Sequence, residues 1–330
     1  MMVESAHERI LHPRLAASVA EITLATVLEP APPQTVGTEL VRRESQLDES
    51  VNWVREVDRG LIEARYVRRS DDYFVVYLSS QTGCRQACRM CHLTATKQTR
   101  MRDVTLEELH AQADVVLQHY RRIRGARPAR EVHYNFMARG EPLVSPVVLH
   151  DSATLFDGLW RRAREASVRP RFLVSTILPR ALGDRALEDV FDRYHPELYY
   201  SLYSTDEDFR RRWLPNALPT SEALDRLSAW QRATYKIIKI HHALIDGEND
   251  RDADVHAICD ALEARGLYVH VNIVRYNPAS ERLGREAPEP VIDRHVDIFR
   301  RRLPKARVKV IPRVGFDVAA SCGMFAAPGR

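Results

Sequence analysis

Three features of the sequence predict an α/β fold, a partial or full (β/α) barrel with a small helical appendage at its N-terminus. Apolar runs of strand length alternate with amphipathic stretches of helix length from about residue 53 onward. Polar clusters follow the strands instead of scattering, as expected where loops at the C-terminal ends of barrel strands carry chemistry. Three of the five cysteines fall within eight residues, on the loop after one of those strands.

Taken in order, residues 1–48 read as a short helical segment, in which Leu15, Val19, Ile22 and Val27 form an apolar stripe ending in a Pro-rich break at 29–33. Residues 49–330 form the barrel domain with its preceding strands and a C-terminal Cys-bearing segment. Strands are expected at 61–67, 73–79, 131–137, 171–176, 197–203, 236–245, 267–276 and 307–312. Helices are expected between them at 105–123, 147–165, 181–192, 221–232, 251–265 and 289–302. Strands separated by helices of this length need right-handed parallel crossovers, and six or seven of them build a barrel. The strand ends are polar as required: Cys84, then Arg139-Gly-Glu-Pro142, Ser175-Thr176, Ser201-Leu-Tyr203, Asp246-Gly247 and Asn277-Pro278.

Composition excludes several classes. At 330 residues, 45% apolar and 28% charged, the chain has material for a large core, so it is neither a disordered tail nor a small disulfide scaffold. No run approaches the roughly 18 apolar residues of a membrane span, and Glu4 and Glu8 stand where a secretion signal needs a positive end. A cytoplasmic protein without membrane contact is expected, monomeric because no coiled-coil repeat is visible. The formal charge is +4, yet only five of the 49 basic residues are Lys. Planar guanidinium groups suit phosphate contact. The first 70 residues carry 9 basic and 11 acidic groups, so any basic surface lies on the larger part.

The cysteines sit at 84, 88, 91, 259 and 322. An odd count argues against a disulfide framework and for thiol or metal chemistry. Gly83-Cys84-Arg-Gln-Ala-Cys88-Arg-Met-Cys91 is a C-x3-C-x2-C run. Three thiolates can hold three irons of a [4Fe–4S] cube and leave the fourth iron open. A closed zinc site would need a fourth ligand, for which His92 or Cys322 is available. Cys259 shares a helical face with Val255 and Leu262 and reads as core.

A C-x3-C-x2-C run after the first strand of a β/α barrel resembles the signature of the radical S-adenosylmethionine (SAM) superfamily. Seven blocks narrow the resemblance: Leu78-Ser-Ser-Gln-Thr-Gly-Cys84, Tyr134-Asn-Phe-Met-Ala-Arg-Gly-Glu-Pro-Leu143, Leu173-Val-Ser-Thr176, Tyr200-Ser-Leu-Tyr203 with Arg210 and Pro215, Leu244-Ile-Asp-Gly-Glu-Asn-Asp250, Val271-Asn-Ile-Val-Arg-Tyr-Asn-Pro278 and Gly315-Phe-Asp-Val-Ala-Ala-Ser-Cys-Gly323. In that order they look like the RlmN/Cfr family of radical SAM RNA adenine methyltransferases, across about residues 60–325.

The resemblance implies a radical SAM barrel, a [4Fe–4S] cluster on Cys84, Cys88 and Cys91, and SAM bound at the open iron and cleaved to a 5′-deoxyadenosyl radical. It implies Gly140 and Glu141 at the methionine end of SAM, with further cofactor contacts from Ser175, Ser201, Leu202, Tyr203 and Asn277. Cys322 matches the cysteine that is first methylated and then passes its carbon to an adenine ring, and Glu63 resembles the proposed general base. The implied partners are RNA, ribosomal or transfer, and a reducing electron donor such as flavodoxin. The chain also departs from the family. Tyr77 stands where a resolving cysteine is usual, Tyr203 where a histidine is, the loop after Cys91 is longer, and the N-terminal segment is short and slightly acidic. Two other readings remain open, a divergent radical SAM enzyme acting on another substrate and a non-catalytic iron–sulfur protein.

Overall fold

The computed structural model describes residues 34–36, 40–125 and 127–328. The helix expected on the stripe from Leu15 to Val27 lies outside the described residues. After the Pro-rich break the chain is extended. Strands β1 (Gln34–Val36), β2 (Leu40–Glu44), β3 (Val51–Val57) and β4 (Gly60–Arg68) make an antiparallel meander, so the sheet reaches back to residues assigned by sequence to the appendage.

Strand β5 (Tyr73–Tyr77) pairs antiparallel with β4 and parallel with β6, and there the topology changes. The strands β6 (Glu131–Phe136), β7 (Arg169–Thr176), β8 (Glu197–Ser201), β9 (Ile238–His242), β10 (Val269–Val274) and β11 (Val308–Ile311) each pair parallel with their predecessor. All the strands expected from 61 onward are present. In a flat sheet β5 and β8 would stand about 14 Å apart, at roughly 4.8 Å per strand. Tyr199 of β8 nevertheless interacts with Tyr73 and Tyr77 of β5, so the sheet curls around a lumen. No pairing joins β11 to β4 or β5 among the described residues, which makes the barrel partial.

The crossover helices pack outside the sheet. Helix Leu106–Ile123 starts on a capping box: Thr105 Oγ1 accepts from the Glu108 backbone N–H and Glu108 accepts from the Thr105 N–H. Its Leu109, Ala113, Val116, Leu117 and Tyr120 recur every three or four residues and are buried against the sheet. The helix expected at 147–165 is broken at Asp151 into Pro146–His150 and Ser152–Glu165. That expected at 181–192 contracts to a 3-10 turn, Arg180–Leu182, and one turn of helix, Leu187–Val190. Helix Glu207–Trp213, unforeseen in sequence, is capped by Asp206 Oδ1 accepting from the Phe209 N–H.

Alternation divides the strand side chains. Leu198, Tyr200 and Leu202 enter the main core between sheet and helices, with Cys259 on helix Asp252–Glu263. Tyr199 faces inward, where its ring meets His241 of β9 edge-on at 4.8 Å. The open side of the barrel is covered by residues 314–328. Ser45 Oγ donates to Asp317, Asn52 Nδ2 donates to the Val318 carbonyl at 3.0 Å, and Arg65 Nη2 donates to the Met324 carbonyl at 2.8 Å. No helix among the described residues is long and apolar enough to cross a membrane.

Candidate active site

The cysteine loop leaves β5 through the buried residues Ser79 to Thr82. It is held at both ends, as the Cys84 N–H donates to the Gln98 carbonyl and the Cys91 N–H to that of Cys88, each at 3.1 Å. Between them Ala87 adopts φ 56, which turns the backbone within the motif. The three thiols are free and partly exposed. They form one electrostatic group: burial, then the neighbouring thiols, pushes Cys84 up to about 12 and Cys88 well above its ordinary value, while burial takes Cys91 to about 11. Such thiols stay protonated unless a cation joins them.

This donor set fits an iron–sulfur cube. Among the described residues no three His, Cys, Asp or Glu side chains gather at the spacing that a single ion demands. In a cube each thiolate holds its own iron, so its triangle is wider than one ion's ligand shell. His92, the alternative zinc ligand, instead contacts the Asn277 carbonyl through Nε2 at 3.0 Å.

Cys322 joins this site from the other end of the chain. Like Cys88 it packs on the apolar cluster that contains Tyr203, Trp213 and Tyr276, and its thiol interacts with that of Cys91. The segment carrying it is pinned on both sides. Asn277 Nδ2 donates to the Cys322 carbonyl at 2.9 Å and the His92 N–H to that of Gly323 at 3.1 Å. Beyond them the Ala326 N–H donates to Glu63 Oε1 at 2.9 Å, and Arg139 Nη2 donates to the Ala326 carbonyl at 2.5 Å. The guanidinium of Arg65 lies 4.9 Å above the Phe325 ring.

Glu63 is therefore an anchor. It is fully buried, and one oxygen accepts from Arg139 Nε at 2.8 Å, the other from Arg65 Nη2 at 2.6 Å and Asn52 Nδ2 at 3.1 Å. Burial alone would raise its pKa, but Arg65 and Arg139 outweigh it and hold the carboxyl below its ordinary value. The expected general base is thus an ionised carboxylate with both oxygens engaged.

Glu141 behaves oppositely. Its carboxylate accepts from the backbone N–H groups of Leu143 and Ile177, both at 3.1 Å, tying the end of β6 to that of β7. No cation faces it closely and burial pushes it up to about 7. A ligand ammonium would recover its charge. Gly140 beside it has φ +95, and a Cβ there would stand 2.7 Å from both Gln81 Cβ and Ser80 Oγ. Gly140→Ala is expected to lower stability by about 1–3 kcal/mol, measured from the urea midpoint; an unchanged midpoint would show that the loop relaxes freely.

The remaining expected contacts divide. Ser175 Oγ donates to Asn135 Oδ1 at 3.0 Å, and Ser201 hydrogen-bonds the Tyr203 hydroxyl, so both hydroxyls lie at lumen-side strand ends. Asn277 holds the Cys322 strap. Leu202 differs from these: its side chain is wholly buried in the main core, its N–H donates to the His241 carbonyl and its carbonyl is engaged by His242 Nδ1, so only the second lone pair of that carbonyl is left for a ligand. Sequence reasoning missed Arg139, Arg65 and Asn52, although Glu63 and Arg65 share a strand face two residues apart, an available sign of pairing.

No protein-family model matches the chain. It is 32% identical over 259 residues to a protein of Synechococcus sp. (strain CC9311) named probable dual-specificity RNA methyltransferase RlmN, covering 77% of this chain and 70% of that one. A protein of the same name from Mycobacterium sp. (strain KMS) is 31% identical over 290 residues, 83% of this chain and 74% of that one. Among solved structures, a radical SAM methyltransferase from Sphaerobacter thermophilus superposes with a TM-score of 0.66 at 25% identity, over 95% of this chain and 85% of that one.

Proposed function

The chain belongs to the RlmN family and is a radical SAM methyltransferase; from that premise we propose that it methylates an adenine carbon in RNA, ribosomal or transfer, through a methyl group carried on Cys322. The observation that carries this reading is the strap: six residues distant in sequence hold the backbone from Cys322 to Ala326, with Cys322 on the same apolar cluster as Cys88 and its thiol interacting with that of Cys91. A merely buried cysteine needs no such fixing.

In this reading Cys84, Cys88 and Cys91 hold a [4Fe–4S] cluster, and Glu141, beside Gly140, receives the ammonium of SAM. Ser175, Ser201 and Tyr203 line the lumen side of the same site. The bound cluster and cofactor supply both the methyl group and the hydrogen-abstracting power that the reaction needs. A cytoplasmic reductant such as flavodoxin supplies electrons, and the enzyme acts as a monomer. What the chain contributes is placement of the Cys322 sulfur and exclusion of water by Tyr203, Trp213 and Tyr276.

Once carbon links Cys322 to the base, a ring proton must leave before the sulfur–carbon bond can break. Tyr77 is the residue facing this task, because its phenol interacts with the Cys322 thiol. Burial raises its pKa more than Arg69 lowers it, so it is a neutral phenol and a poor base. Reduced, cluster-loaded protein given labelled SAM and RNA is expected to transfer label slowly and to retain RNA covalently on denaturing gels. Tyr77→Cys is expected to release it as methylated product. Label in RNA with no trace of adduct, unchanged by Tyr77→Cys, would show that another group takes the proton; no label in RNA under strict anaerobiosis would remove the RNA reading.

A further inference from the structure

Glu63, Arg65, Val67 and Arg69 alternate along one face of β4 and the residue after it, and Val67 packs in the lumen with Val75, Tyr77 and Val314. The two arginines on that face meet different fates. Arg65 is neutralised by Glu63, whereas Arg69 finds no carboxylate among the described residues. Its Nη2 donates to the Tyr77 hydroxyl oxygen at 3.1 Å, and its Nε is buried without a hydrogen-bond partner. The groups that sense its charge are Tyr77, Tyr73, Cys322 and Tyr199, together with His241 across the lumen. They hold the guanidinium charged against its burial, yet none of them is a carboxylate: burial keeps the Tyr77 and Tyr199 phenols above their ordinary pKa, and His241 is pushed down to about 3 by burial and by Arg69 itself.

A guanidinium with a buried, unbonded N–H and no carboxylate partner is costly unless an anion joins it. The available hydrogen bonds specify that anion. Because the Tyr77 oxygen already accepts from Arg69, its own proton is free to donate, and Arg69 Nε–H supplies a second donor. Two donors and one positive charge suit a group with at least two anionic or strongly accepting oxygens. We propose that Arg69 and the Tyr77 hydroxyl form an oxyanion-binding subsite in the barrel lumen beside Cys322, and that it takes a phosphate of the nucleotide being modified. The nucleotide's identity rests on the RNA methyltransferase reading; the demand for an oxyanion does not. The other source of such chemistry is the carboxylate of SAM. Phosphate is favoured because Arg69 interacts with Cys322, while the loop thiols answer instead to Arg139 and Glu141.

The test reads inorganic phosphate first, without RNA or turnover, so its failure and a failure of methylation are separately visible. Raising phosphate against chloride at matched ionic strength is expected to raise the Tm of the wild-type protein. Arg69→Gln should abolish the rise, and Arg69→Lys, which keeps the charge but loses the planar fork, should retain part of it. On cluster-loaded protein AMP should bind about tenfold more tightly than adenosine, the worth of one charged hydrogen bond, and Arg69→Gln should erase that ratio with SAM affinity unchanged. Equal phosphate responses in wild type and Arg69→Gln would overturn the subsite. A fall in SAM affinity with an unaltered AMP-to-adenosine ratio would overturn the phosphate assignment.

Discussion

Cys322→Ser is expected to lower methyl transfer by about a thousandfold or more, because it removes the atom on which both halves of the proposed reaction depend and no parallel route remains. The substitution is nearly isosteric, and the strap is held through backbone groups at Cys322, Gly323, Met324 and Ala326, so stability should change little. Peptide mass spectrometry supplies the complementary reading. Cys322 from cluster-loaded protein should be one methylene heavier, and the modification should be absent when Cys84, Cys88 and Cys91 are all alanine. Unmodified Cys322 in an enzyme that cleaves SAM would favour a divergent radical reaction. Undiminished transfer by Cys322→Ser would exclude the thiol route outright.

Glu63→Ala should be the most damaging single change to the fold, at about 3–5 kcal/mol, since it leaves the buried guanidiniums of Arg65 and Arg139 facing each other unpaired. The loss should be local as well as global. Backbone amides from Gly323 to Ala326 should exchange faster with solvent, and Glu63→Gln, which keeps hydrogen-bond capacity, should restore part of the protection. If Glu63 were a general base with no anchoring role, Glu63→Ala would leave stability and exchange unaltered and depress only turnover. The pH dependence has a definite sign. The carboxyl has a lower pKa folded than unfolded, so on acidification the unfolded chain takes up the proton first. The ion pairs contribute fully above roughly pH 5, and their contribution falls away as pH drops through the folded value. Wild type should therefore lose more stability than Glu63→Gln between neutrality and acid, measured by urea unfolding at a series of pH values.

Local pattern carried most of the architecture. Alternation located the seven parallel strands because their buried runs are bounded by turn residues, and the long helices because their apolar residues recur every three or four positions. Where local pattern weakened, legibility stopped. Residues 181–192 contain helix-compatible side chains, but Gly183 turns the chain at φ 61 and leaves two short pieces. Strand Val51–Val57 was missed because its first four residues are all buried, which masks the period of two.

The site was legible by type and not by role. Spacing marked Cys84, Cys88 and Cys91 as a ligand set, since three thiols on one short loop need no tertiary information to be neighbours. Cys322, 231 residues beyond Cys91, could be singled out by its surroundings in the sequence, but only the fold brings it to the same recess. Roles that depend on partners were decided there too. Glu63 and Glu141 are both buried carboxylates, yet one is held below its ordinary pKa and the other is raised to about 7. The difference is that Arg65 and Arg139 converge on the first, while the second meets only uncharged donors, the Thr176 side chain and two backbone N–H groups. By itself the sequence determined the barrel, the thiol loop and the family, because periodicity and motif spacing are properties of neighbouring residues. Charge compensation depends on which side chains the curled sheet and its C-terminal strap bring together across long separations, and only the tertiary structure decided that.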